Sequence, residues 1–226
     1  FSARQATMVL AGVLIETDDY PGARAATIEA LHQSIRDDDQ FTTRLGEFSM
    51  ARIFWLMGRL DTAARWLRDT VSGAELYGPA SLRSPALALA CIIACEQGDL
   101  PQALDLRARM DASYDRGYAM TVFADGWIAQ LQGRTDEAAE ILRVGAEQML
   151  VCGGYGTAGK LLHTIARLGS ATHAADAARR LEALAPLAPS RRIRLQARHA
   201  RAEADKDPLA LRSVGADWED LGALLY

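Results

Sequence analysis

The segment Gln97–Ala103, which reads Gln-Gly-Asp-Leu-Pro-Gln-Ala, decides the fold because its pattern returns at Gln132–Ala138, which reads Gln-Gly-Arg-Thr-Asp-Glu-Ala. In both copies an alanine follows a glycine by five residues. Glycine adopts the left-handed conformation that ends a helix without a Cβ clash. The polar residues after it can cap the next helix, whose first turn tolerates proline. We therefore interpret each copy as a tight turn between two packed helices, which we call a joint.

The joint recurs along the whole chain. Further copies begin at Gly58 and Gly169, and weaker ones begin at Asp18 and Asp205. The six copies therefore start at positions 18, 58, 98, 133, 169 and 205, which are spaced by 40, 40, 35, 36 and 36 residues. Periods of this length are typical of helical-repeat proteins. The flanking segments show apolar residues at helical spacing, and none shows sustained strand alternation. The prolines that we expect between helix pairs, where helices stop, are Pro79, Pro85, Pro186 and Pro189.

These patterns predict an all-α fold, a single solenoid of about six antiparallel helix pairs. The predicted repeats span residues 4-37, 44-77, 84-118, 119-154, 155-190 and 191-226. The joints resemble those of the tetratricopeptide family, whose turn Gln97–Ala103 and Gln132–Ala138 match. Gly126 also stands where that family places a small residue in its first helix. The resemblance implies a tetratricopeptide-like solenoid whose first helices line a concave face.

A second resemblance covers roughly the last third of the chain. Its motifs are Leu161–Gly169, Ala174–Leu184, Arg198–Ala202 and Trp218–Ala223. They resemble the helical region before the DNA-binding module in large ATP-binding LuxR-type transcriptional regulators of the maltose-regulon-activator-like class. The resemblance implies a regulatory domain that binds a small-molecule or peptide effector and contacts ATPase and helix-turn-helix domains of the same chain. Because the chain starts at Phe1 and neither module is recognisable in it, we expect a fragment of a longer protein.

Composition excludes several classes of function. The 226 residues carry a net charge of -4, which argues against direct nucleic-acid binding by this chain, because phosphate contacts need a basic surface. No stretch reaches the roughly 18 apolar residues of a membrane helix, and no signal peptide is recognisable. The three cysteines, Cys91, Cys95 and Cys152, suit a reducing compartment. We expect a cytoplasmic protein without membrane contact.

No motif supports catalysis, a metal or a cofactor. The segment Gly154–Leu161 resembles a phosphate-binding loop, but Leu161 stands where that loop needs Ser or Thr. We favour the interpretation that its glycines join two repeats. Cys91 and Cys95 lie one helical turn apart without further metal ligands nearby, and the four histidines are scattered. We therefore expect no enzyme activity, no metal and no cofactor in this chain.

The leading candidate site is a groove on the concave face. Alignment of each joint with the tetratricopeptide family places seven residues there: Phe48, Arg52, Trp55, Phe123, Trp127, Gln130 and His163. Aromatic anchors with a few polar groups suit a ligand or peptide groove. The alternative is that the aromatic residues belong to the core, as aromatic residues at helical spacing usually do.

A second candidate surface is basic. Four arginines share one predicted helix face by their three-four-three spacing: Arg191, Arg194, Arg198 and Arg201. One interpretation is a solvated ridge whose arginine stems cover apolar surface. The other is a docking face, which would bind an acidic partner domain or the DNA phosphates beside an attached DNA-binding module.

Two functions remain open from the sequence. The first is a regulatory ligand- or partner-binding and coupling domain of a LuxR-type transcriptional regulator. The second is a tetratricopeptide-like scaffold that binds a peptide or a partner protein. Fold alone does not choose between them.

Overall fold

The computed structural model describes residues 3–77, 80–110, 119–188 and 190–223. Within these ranges the chain forms α-helices and one short 3₁₀-helix (Ala185–Leu187), and no strand occurs in them. The helices are α1 (Ala3–Glu16), α2 (Tyr20–Arg36), α3 (Gln40–Leu56), α4 (Leu60–Tyr77), α5 (Ala80–Glu96), α6 (Leu100–Ala108), α7 (Ala119–Leu131), α8 (Thr135–Val151), α9 (Tyr155–Ala166), α10 (Ala171–Leu184), α11 (Arg191–Asp205) and α12 (Pro208–Asp220).

The helices assemble into two compact units, each a run of contacting helix pairs. Unit 1 contains α1–α6 and unit 2 contains α7–α12. In unit 1, the first helices of neighbouring pairs also touch, α1 with α3 and α3 with α5, and in unit 2 α9 touches α11. Each pair therefore buries its apolar face partly within the pair and partly against its neighbour. The predicted all-α helical-repeat class is confirmed.

The joints have the backbone geometry that the sequence pattern predicts. Gly58, Gly98, Gly133 and Gly169 adopt positive φ angles of 73, 79, 77 and 88°. The residue after each of these glycines immediately precedes the following helix. At Asp99, for example, the side chain accepts a hydrogen bond from the backbone N–H of Gln102. The alanine of the joint packs between helices, with at most 3% exposure at Ala23, Ala63, Ala103, Ala138 and Ala174.

The left-handed turn occurs more often than the pattern indicates. Asp38 and Gly153 also adopt positive φ, at 52 and 73°, and they connect one helix pair to the next. The weak sixth joint lies one residue later than predicted, because Lys206 takes the left-handed conformation and Asp207 caps α12. The second helix pair begins at Gln40, which is four residues before residue 44, the predicted start of that repeat.

One proline expectation is wrong. Pro85 lies inside α5 and not between helix pairs. Proline removes one backbone N–H from the helix, but α5 continues because Leu87, Leu89 and Ile92 after it are fully buried and hold it by packing. Pro186 lies in the 3₁₀-helix that follows α10. Pro79 and Pro189 lie outside the described residues.

Within the described ranges, no helix combines the length and the apolar character that crossing a membrane requires.

Candidate binding surfaces

An open groove of about 380 Å³ lies between α1 and α3 in unit 1. Its walls carry Val9 and Phe41, two apolar side chains that remain 55% and 47% exposed. Gly12 contributes bare backbone to the wall, and a Cβ at this position would meet no atom within 4 Å. Apolar side chains exposed together in a concave surface are typical of binding sites.

Arg52 borders this groove, and among the described residues it makes one ion pair. Its Nη2 donates to Oε1 of Glu16 at 2.8 Å, and the two side chains are 28% and 45% exposed. Ion pairs this open to solvent contribute about 0–1 kcal/mol. A carboxylate of a bound partner could therefore replace Glu16 at little cost.

The two predicted aromatic groove residues of unit 1 lie in the core. Trp55 is 4% exposed, and its Nε1 donates to Oε2 of Glu96 at 2.8 Å, which ties α3 to α5. Phe48 is 9% exposed. Of the three groove residues predicted in unit 1, the structure brings only Arg52 to an open surface. A ligand would reach Phe48 or Trp55 only by displacing neighbouring side chains.

In unit 2, α7 carries the next predicted groove residues. Phe123 is buried, whereas Trp127 and Gln130 are half-buried on one face of the helix. The Nε1 of Trp127 and the Oε1 of Gln130 are shielded from water and have no hydrogen-bond partner within the described part of the chain. A buried donor or acceptor without a partner costs about 1–3 kcal/mol. Trp127 and Gln130 therefore give α7 one donor and one acceptor that no described residue pairs.

His163 is enclosed in the core of unit 2. It is 1% exposed, its Nε2 lies 2.9 Å from Nδ1 of His199, and the Trp218 ring centroid is 5.8 Å away. Burial, together with the nearby His199 and Arg167 charges, lowers the pKa of His163 well below its ordinary value. Burial also lowers the pKa of His199, against the opposing effect of Glu203.

Sequence reasoning missed this histidine pair although a signal was available. His163 and His199 are 36 residues apart, which equals the local repeat interval. They therefore occupy equivalent positions on α9 and α11, which pack against each other. Gln196 lies on the same helix as His199, fully buried, and neither polar atom of its amide has a partner among the described residues.

The predicted basic face on α11 is largely neutralised by neighbouring helices. Arg191 pairs with Asp220 at 2.7 Å, Arg198 with Asp217 at 2.5 Å, and Arg201 with Glu182 at 2.9 Å. Arg194 is exposed, and no acidic partner for it lies within the described ranges. Three of the four arginines thus fasten α11 to α10 or α12.

The remaining polar motifs are parts of the packing. Gly154 caps α9, and Lys160 on that helix is 7% exposed. The thiol of Cys91 donates to the carbonyl of Ala103 at 3.3 Å. A hydrogen bond to Cys91 and burial raise the pKa of the Cys95 thiol. Within the described residues, no three His, Cys, Asp or Glu side chains are grouped as a metal site requires.

Comparison with models of known protein families finds no match, and a search of curated proteins finds no similar sequence.

Proposed function

We propose that the chain is a regulatory domain that binds an effector or a partner, and that the groove between α1 and α3 is its main recognition surface. The carrying observation is the exposure of Val9 and Phe41 in a concave surface bordered by Arg52. The apolar walls favour apolar side chains of the bound molecule, and Arg52 favours a carboxylate beside them. A short peptide that carries an apolar and an acidic residue combines both features.

The wider proposal is that this domain belongs to a LuxR-type transcriptional regulator in the cytoplasm. The sequence resemblance in the last third of the chain supports it, because its motifs fall on α9–α12, which pack as one block in unit 2. In that setting the domain would pass the bound state to ATPase and helix-turn-helix domains of the same chain. Such coupling requires an effector that binds one conformation better than another.

A selection from phage-displayed random peptides tests the recognition surface. We expect enriched peptides to share an apolar residue close to an acidic one. Binding should fall several-fold in Arg52→Ala, because the carboxylate loses an ion pair worth up to about 1 kcal/mol. It should be abolished in Gly12→Phe, because a Cβ at this position meets nothing within 4 Å and the ring it carries would occupy the groove.

The matched control is Arg36→Ala, which removes an exposed arginine from α2, outside the groove. Peptides that bind all three variants as tightly as the wild-type chain would exclude the groove. A selection without any enrichment would count against peptide recognition altogether.

The α7 surface of unit 2 is tested separately by Trp127→Phe. This change keeps an apolar ring and removes the Nε1 donor, for which the described residues offer no partner. If an effector binds there, its affinity should fall about tenfold or more, since a hydrogen bond in an enclosed site is lost. Equal affinity in the folded variant would remove Trp127 from the predicted site.

The second candidate function is a tetratricopeptide-like scaffold that binds a peptide or partner protein. The open, apolar character of the α1–α3 groove favours a protein segment over a small polar metabolite. The coding sequence on both sides of this segment distinguishes the candidates. An ATPase module before it and a helix-turn-helix module after it would support the regulator, and their absence would support the scaffold.

A further inference from the structure

A second cavity in unit 1 lies between α4, α5 and α6. It has a volume of about 320 Å³ and shares no lining residue with the α1–α3 groove. Its floor contains Leu67 and Ile93, each 1% exposed, and Ala94, which is 2% exposed. This size lies at the lower end of small-molecule sites, which combine an apolar interior with a few polar groups.

The polar rim of the cavity carries two arginines, of which Arg109 is paired with Asp105 at 3.5 Å. Arg68 from α4 and Arg109 at the end of α6 line it, together with the amide side chain of Gln102. No acidic side chain belongs to the lining. Arg68 is exposed and has no hydrogen-bond or ion-pair partner within the described ranges. An unpaired guanidinium beside an apolar floor is suited to a carboxylate that carries an apolar body.

The preceding repeat fills the equivalent space with larger side chains. Its equivalent in the preceding repeat lies 40 residues earlier, by the spacing of Gly58 and Gly98. There, Phe54 replaces Ala94 and Met50 replaces Ala90, and both large side chains are buried. The small alanines of α5 therefore open a space that the preceding repeat fills.

The charge changes together with the space. Arg68 corresponds to Ile28 in the preceding repeat, so of these two repeats only the one with the open cavity carries a guanidinium at this position. The alanines leave room for an apolar chain, and Arg68 supplies a cation for an anionic group, so both changes suit one ligand that carries a chain and a negative charge. We propose that this cavity binds a small organic anion, a carboxylate with an apolar chain. The site is independent of the α1–α3 groove and its proposed peptide.

Calorimetric titration of the chain with octanoate, below the concentration at which it forms micelles, tests this site. Octanol and acetate serve as matched probes that lack the charge or the chain. We expect saturable octanoate binding with one site per chain. Octanol and acetate should each bind at least tenfold more weakly.

Three variants tie the binding to the cavity. Ala94→Phe and Arg68→Ile restore the residues of the preceding repeat, so the first should abolish octanoate binding and the second should weaken it at least tenfold. Arg65→Ala removes an arginine on α4 that is outside the cavity lining and hydrogen-bonds to Thr62, and it should leave binding unchanged.

Octanol binding as tight as octanoate, or octanoate binding that persists in Arg68→Ile, would overturn the proposal. Equal loss in Arg65→Ala would do so too, because it would indicate nonspecific charge attraction. Circular dichroism checks that each variant is folded. If Ala94→Phe does not fold, octanoate binding by Arg68→Ile, a change at an exposed position, still tests the proposal.

Discussion

Nε2 of His163 lies 2.9 Å from Nδ1 of His199, and this contact joins α9 to α11 inside unit 2. One ring nitrogen donates and the other accepts when both imidazoles are neutral. Protonation of either ring would place a positive charge beside the fully buried His163, where Arg167 already contributes positive charge. Burial therefore favours the pair with both rings neutral.

The histidine pair predicts that acid weakens unit 2. The folded-state pKa values of His163 and His199 lie below the ordinary value of 6.5, mainly because of burial. The unfolded chain then binds more protons, so the free energy of unfolding falls as pH drops below about 6.5 and is level above it. Urea denaturation between about pH 8 and pH 5, followed by circular dichroism, measures this dependence.

Two substitutions identify the source of that acid sensitivity. His163→Gln keeps an amide that can bond to His199 but cannot titrate, so a large part of the pH dependence should disappear. His173→Gln is the control, because the His173 side chain is 31% exposed and pairs with the exposed Asp136 at 2.8 Å. An unchanged acid loss in His163→Gln would show that other groups cause it.

Gly126 lies where α7 and α8 pack closely. A Cβ at this position would lie 2.6 Å from Cγ and Cδ2 of Leu142, which is fully buried. Gly126→Ala should therefore destabilise the fold by about 1–3 kcal/mol through overpacking. Gly215→Ala is the matched control, because nothing lies within 4 Å of its Cβ, and it should stabilise α12 by about 0.5–1 kcal/mol. Thermal unfolding of both variants checks the opposite signs.

The joint before α8 is incompletely capped. Its N-cap residue, Arg134, makes no side-chain hydrogen bond to the helix, whereas Asp99 caps α6 and Ser170 caps α10. Arg134→Ser should raise the free energy of unfolding by about 0.5–1 kcal/mol, and Asp99→Ala should lower it by about 1 kcal/mol. Denaturant midpoints of the two variants measure both effects; a loss of stability in Arg134→Ser would contradict the assignment of this cap.

The Trp55 indole links two neighbouring repeats through Glu96. Trp55→Phe keeps an aromatic ring in the core but removes the Nε1 donor, which leaves the partly buried carboxylate with one hydrogen bond fewer. We expect a loss of about 1–3 kcal/mol. A double-mutant cycle with Glu96→Ala, which removes the acceptor, isolates the contribution of this bond, and a coupling energy of zero would contradict it.

The local turn chemistry made the helical-repeat class predictable. The glycine-to-alanine spacing at Gly98 and Gly133 depends on residues close in sequence, and both turns have the predicted left-handed backbone. The turns at Asp38 and Lys206 were harder to place, because non-glycine residues adopt the left-handed conformation there. Pro85 was misplaced because packing of α5 overrides a local helix-breaking tendency.

The candidate surfaces were predictable only in part. Alignment of the joints selected Arg52, which borders a groove, but also Phe48 and Trp55, which are buried. Sequence spacing identifies the helix face, whereas burial depends on the neighbouring pair that covers it. The cavity beside Arg68 was not predictable from the sequence, because it arises from small residues such as Ala94, which carry no chemical signal of their own.

A photo-crosslinking measurement tests the proposed recognition surface most directly. A benzophenone group is placed at position 9 in the groove, or at position 151 on α8, where Val151 is 89% exposed, and each protein is irradiated with a selected peptide. The proposal predicts an adduct from position 9 that unlabelled peptide suppresses, and none from position 151. No adduct at position 9, or equal adducts at both positions, would contradict the assignment of the α1–α3 groove as the recognition surface.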